Sequence, residues 1–121
     1  DIYFSCFAGG TVGLYARVTD WTGADLQQAG VSELKYSIFA LGDDGARTAV
    51  AGHTSVMLEK TDVLWGTVQS DQWASDWNFK LIPASDTSVA FANGGTDYLV
   101  EVTITPTTGQ PILVRFRVQC L

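Results

Sequence analysis

The residues of this chain that could do chemistry are few. There is one histidine, His53, beside Gly52, and there are two cysteines, Cys6 and Cys120, near opposite ends. A hydrolytic triad needs a nucleophile, a base and a group that orients the base. His53 is the single imidazole, and no Gly-x-Ser-x-Gly elbow is present. Either cysteine could pair with His53, but both sit in apolar, strand-like stretches, where a thiol is ordinarily inert. Asp71 and Asp76, and after them Asp62, are the best carboxylates for glycoside hydrolysis. The competing reading is that these acids form turns and accept backbone N–H groups. The same aspartates could offer oxygens to calcium, but EF-hand spacing is absent. Phosphate-loop and dinucleotide fingerprints are absent too, and Gly9, Gly10 and Gly13 read as an ordinary bend. The expectation is a protein that is not an enzyme and takes no cofactor or metal.

The two cysteines admit two readings. In an oxidising compartment, Cys6 and Cys120 could close a very long loop as a disulfide. That requires the first and last strands to be neighbours with facing Cβ atoms. The alternative is two buried thiols packed as small apolar groups. They make no structural zinc site, because His53 alone does not complete a ligand set.

Four tryptophans offer the other kind of chemistry, recognition. Trp21, Trp65, Trp73 and Trp77 lie at or near turns. Exposed, they would make a sugar-stacking platform or an interface hot spot. Buried, they would be core. Trp77 opens a strand and is expected in the core, while Trp21, Trp65 and Trp73 are candidate interface residues.

The elements that must position these residues alternate with period two. Ile2 to Ala8 is a short apolar first strand ended by Gly9-Gly10. Its residues Ile2 and Phe4 are candidates for pairing with a neighbouring chain; otherwise the strand is central and paired within its own domain. Thr11 to Thr19 alternates Val12, Leu14, Ala16 and Val18 against polar positions. Asp20-Trp21-Thr22-Gly23 fits a type I turn. Leu26 to Ala29 could form one helical turn ended by Gly30.

A long strand is expected from Val31 to Leu41, then a turn at Gly42-Asp43-Asp44-Gly45. Short strands follow near Arg47 to Ala51 and Thr54 to Glu59. Lys60 to Asp76 is the least regular part. Trp77 to Ile82 is a strand stopped by Pro83. Ser85 to Thr96 reads as a loop with an apolar insert, Val89-Ala90-Phe91. The clearest element is a hairpin: Tyr98, Val100, Val102 and Ile104, a turn between Pro106 and Pro111, then Ile112, Val114, Phe116, Val118 and Cys120. About seven to nine short strands at this spacing predict an all-β fold, an immunoglobulin-like antiparallel β-sandwich, as a single domain over 1–121.

Bulk composition narrows the partners. The 121 residues carry seven basic and thirteen acidic side chains, a net charge of −6. Nucleic-acid binding needs clustered Lys and Arg, and anionic membranes need the same, so neither partner is expected. No apolar run reaches the 18 or so residues that span a bilayer. The start, Asp1-Ile2-Tyr3-Phe4, lacks the basic region of a leader.

Several segments together carry a resemblance. They are Tyr15-Ala-Arg-Val-Thr-Asp-x-Thr-Gly23, Ser32-Glu-Leu-Lys-Tyr-Ser-Ile38, Asp71-x-Trp73-x-x-Asp76-Trp-Asn-Phe79, Tyr98-x-Val-x-Val and Thr105-Pro-x-x-Gly109-x-Pro111. In this order the chain resembles a group of small structural proteins of tailed bacteriophages with an immunoglobulin-like domain. It departs from their pattern where Asn78-Phe79 follows Trp77 without an intervening Gly-Tyr. The resemblance implies a virion location and a non-enzymatic structural role, as capsid decoration (cement) or as a neck or tail component. Its implied partners are capsid or other virion proteins, or further copies of itself. The alternative is an extracellular or cell-surface adhesion or carbohydrate-binding module, which predicts exposed tryptophans on one surface.

Overall fold

β-branched and aromatic residues at every second position become strands because they pack on a pleated, half-buried surface. The computed structural model describes residues 2–10, 12–72, 74–83 and 90–121. Its strands are β1 (Ile2–Cys6), β2 (Leu14–Ala16), β3 (Val31–Leu41), β4 (Arg47–Ala49), β5 (Val56–Leu58), β6 (Leu64–Gln69), β7 (Trp77–Leu81), β8 (Asp97–Pro106) and β9 (Ile112–Cys120). A single 3-10 turn covers Gln28–Gly30 and one helical turn, α1, covers Lys60–Val63.

The strands form a two-layer β-sandwich. The larger sheet runs β1-β9-β8-β3-β4, with β5 also on β3, and the smaller runs β2-β7-β6. The expected all-β sandwich is thus present. It is antiparallel except at β1, which pairs parallel to β9 from Ile2–Phe116 to Cys6–Cys120. After β1 the chain turns at Gly9 and enters the other sheet at β2, so no hairpin dictates the direction of β1.

The β8–β9 hairpin holds its register from Asp97–Gln119 to Ile104–Ile112, with Tyr98, Val100, Val102 and Ile104 buried as the alternation requires. β3 covers the expected residues and buries Leu34, Tyr36 and Ile38. Facing them from the small sheet are Leu14 and Ala16 of β2 and Phe79 and Leu81 of β7, all in one core. Phe79 stacks on Phe116 across the layers, with ring centroids 6.1 Å apart. Burying rings of this size contributes about 2–3 kcal/mol each.

Two elements differ from expectation for a visible reason. The strand expected over Thr11 to Thr19 is only Leu14–Ala16; Thr11 is outside the described residues. Beyond Ala16 the ladder is replaced by a side chain: Asn78 Oδ1 accepts from Val18 N at 2.7 Å and Asn78 Nδ2 donates to Val18 O at 2.9 Å. The irregular segment after Lys60 contains α1 and β6. Between the Leu64–Phe79 and Gln69–Trp77 pairs the register shifts, and such an interrupted ladder leaves no clean alternation in the sequence. Part of the loop expected over Ser85 to Thr96, with Val89, falls outside the described residues; Ala90 and Phe91 are buried in the core.

Candidate functional site

Three surfaces collect the residues singled out above. The first is the free edge of β1. β1 ends the larger sheet, and its outer edge has no strand partner among the described residues. Phe4 and Cys6 point inward: Phe4 packs against the core with its ring 6.0 Å from Phe116, and Cys6 is buried. Ile2 is partly exposed, Tyr3 is 71% exposed and Phe7, just past the strand, 75%. The edge is therefore apolar and open, with Tyr3 and Phe7 as its most exposed rings. Both lie within the first strand that the sequence offers for pairing, but Ile2 and Phe4 are the residues it singles out, because an apolar run does not say which of its faces meets the core.

The second is the turn that presents Trp21, which is 87% exposed. The turn is of the expected type, with Gly23 N–H donating to Asp20 O at 3.1 Å and Gly23 at φ +88°. Asp20 Oδ1 accepts from Thr22 N at 2.8 Å and Ala24 N at 3.2 Å, and also from the Thr22 hydroxyl. The hydrogen bond from that hydroxyl, joined by the backbone N–H groups, holds the Asp20 carboxyl below its ordinary range. At the foot of the turn, Arg17 Nε meets Asp25 Oδ1 at 3.0 Å. The indole borders a groove of about 520 Å³ shared with Leu26 and with Pro106 and Pro111 of the hairpin turn. That volume lies within the range of small-ligand sites, roughly 300–1,000 Å³.

The third is an aromatic cluster on the small sheet. Trp77 is buried, as expected, but against Tyr15 and Trp65 and not within the main core. Its ring stands edge-on to Tyr15 at 5.2 Å and to Trp65 at 5.0 Å. Lys80 Nζ lies over the Tyr15 ring at 5.5 Å and the Trp77 ring at 5.8 Å, a cation–π arrangement. Among the described residues Trp77 Nε1 has no hydrogen-bond partner. Trp65 is half-buried here and lines a different groove from Trp21, with Lys80 and Leu81. Trp73 lies outside the described residues.

The groups weighed for catalysis are engaged structurally. His53 is buried, with Nδ1 2.8 Å from the Tyr36 hydroxyl. Burial raises the Tyr36 pKa. Asp71 Oδ1 accepts from Ala74 N at 2.9 Å, and its Oδ2 meets the Tyr15 hydroxyl at 3.4 Å and Lys80 Nζ at 4.0 Å. Asp76 sits at φ +57°, its N–H donating to Ser70 Oγ. Asp62 lies in the first turn of α1. Among the described residues no group of three or more His, Cys, Asp or Glu is placed to hold a metal ion. No helix of the described residues is long and apolar enough to cross a membrane.

Cys6 and Cys120 are buried thiols and direct register partners. The first and last strands are thus neighbours, as the disulfide reading requires. Comparison with known proteins identifies no relative: no family model, no curated protein and no solved structure matches this chain.

Proposed function

We propose that this chain is a non-enzymatic assembly module of a virus particle, a capsid decoration protein or a component of the neck or tail. The observation that carries the reading is the open, apolar edge of β1. An edge strand left unpaired invites sheet extension by another chain. Native sheets usually blunt such edges with charge or proline, and Ile2 to Phe7 has neither. The net charge of −6 keeps the free subunit soluble before docking. The two-sheet β-sandwich is compatible with this reading, and the phage-like sequence segments support it. Its partners are virion proteins or further copies of the chain, with no role for nucleic acid or membrane.

One observation favours a second reading, an extracellular or cell-surface carbohydrate-binding module: Trp21 stands exposed on a rigid turn above an apolar groove. Mass spectrometry of DNA-containing particles banded on a density gradient from the source culture separates the two. Peptides of this chain at high copy in the band support the virion reading, and their ratio to the capsid protein distinguishes decoration from tail. Absence from particles together with presence in the supernatant or on cells overturns it in favour of the second.

A further inference from the structure

Cys6 and Cys120 are the last register pair of the parallel β1–β9 ladder. Both side chains belong to the buried core. The backbone on either side of the pair is tied down. Cys6 O accepts from Leu121 N at 2.8 Å, Cys120 N donates to Thr96 O at 3.1 Å, and Cys120 O accepts from Gly95 N at 2.8 Å. Side chains of an in-register pair project to the same face, so the two Cβ atoms are held side by side. Cys120 Sγ lies 3.6 Å from Phe91 O.

We propose that Cys6 and Cys120 are a thiol–disulfide site: a disulfide oxidant of the glutathione type converts the pair to an Sγ–Sγ bond that fastens β1 to β9. The geometry permits this. Neighbouring strands lie about 4.7–4.9 Å apart, inside the roughly 4.4–6.8 Å Cα separation of disulfides. Bond formation needs the Cβ atoms at about 3.5–4.5 Å, a small closing of the pair from strand spacing. β1 can supply that movement because no strand of the described residues is paired to its outer edge. Oxidation also orphans no carbonyl, since Phe91 O keeps the N–H of Gly9 at 2.8 Å.

The exchange balances in two steps. The Cys6 thiol loses its proton to solvent, and the thiolate attacks one sulfur of the oxidant and expels a small thiolate. Cys120, deprotonated in turn, attacks the Cys6 sulfur of the mixed disulfide and expels the second thiolate. Two electrons pass from the cysteine pair to the oxidant, and two small thiols leave. Burial and the adjacent Cys120 push the Cys6 thiol up to about 11, so reaction waits on fraying of the edge strand. The oxidised form joins nearly the whole chain into one covalent loop.

The inference is independent of the virion reading. Its test uses the full chain in oxidised-glutathione buffer, with and without mild urea to fray β1, followed by acid quench, alkylation and intact mass. The expected product is a monomer lighter by two hydrogens, with Cys6 and Cys120 in one cross-linked peptide pair. Loop closure of this length lowers the unfolding equilibrium constant on the order of 10³-fold relative to the reduced chain. Cys120→Ala should instead retain glutathione on Cys6 and show no such gain. Two alkylatable thiols after prolonged exposure, intermolecular dimers, or a bond that forms only in fully unfolded chains would each overturn the proposal.

Discussion

The carbonyl of Cys6 accepts the backbone N–H of Leu121 at 2.8 Å, and this bond fixes the polarity of the N-terminal strand. In a parallel ladder, one residue directs both its N–H and its C=O to the partner, and the next directs both away. Phe4 and Cys6 therefore bond to β9, while Tyr3 and Ser5 present their backbone groups to the open edge. Amide hydrogen exchange should show this alternation: slow at Phe4 and Cys6, fast at Tyr3 and Ser5. Uniformly slow exchange along β1 in a dilute monomer would contradict it.

Asn78 replaces a stretch of ladder with its side chain, bonding both the N–H and the C=O of Val18. Asn78→Ala leaves both backbone groups without that partner in a buried site. The expected loss is about 2–4 kcal/mol in urea unfolding. A loss below about 0.5 kcal/mol would mean that Val18 is satisfied in another way.

Trp21 is exposed, and its turn is held by Asp20 and not by the indole. Trp21→Ala should leave stability within about 0.5 kcal/mol of wild type. If the carbohydrate reading holds, the same variant abolishes glycan-array binding. Glycan binding that survives the change would remove Trp21 from any such site.

Alkaline pH tests the burial of Cys6 and Tyr36. Both groups have raised folded-state pKa values, Cys6 from 9.0 to about 11 and Tyr36 upward from 10.0. The folded state holds these protons more tightly than the unfolded state. Stability should therefore be complete below pH 9 and fall as pH rises through 11. Cys6→Ala should flatten the first part of that fall. An unchanged profile in the variant would show that Cys6 does not contribute.

The β8–β9 hairpin and β3 were legible because one face of each meets the core, so burial imposes a two-residue period from Leu34 to Ile38 and from Tyr98 to Ile104. β6 was not legible, because its shifted register sends Trp65 to the Trp77 cluster and breaks the alternation. The tryptophans were legible as candidates, but local spacing carried no sign that Trp21 is exposed while Trp77 is buried. The apolar run from Ile2 to Phe7 is likewise legible as a strand open to pairing, but not that Tyr3 and Phe7 are its exposed rings. Tyr3 alternates with the inward-facing Phe4 and Cys6, and the pairing of β1 with β9, far away in sequence, leaves no local sign of which face that is.

The central claim is that β1 docks by its open edge. Ser5→Pro removes an outward-facing N–H and leaves the bonds of Phe4 and Cys6 to β9 in place. The direct measurement is co-sedimentation of purified wild-type and Ser5→Pro chains, matched in urea midpoint, with virus particles stripped of the protein. The expected result is saturable wild-type binding and at least about a tenfold loss in the variant, the worth of one or two main-chain hydrogen bonds. Equal binding by the two chains, or no wild-type binding, would contradict it.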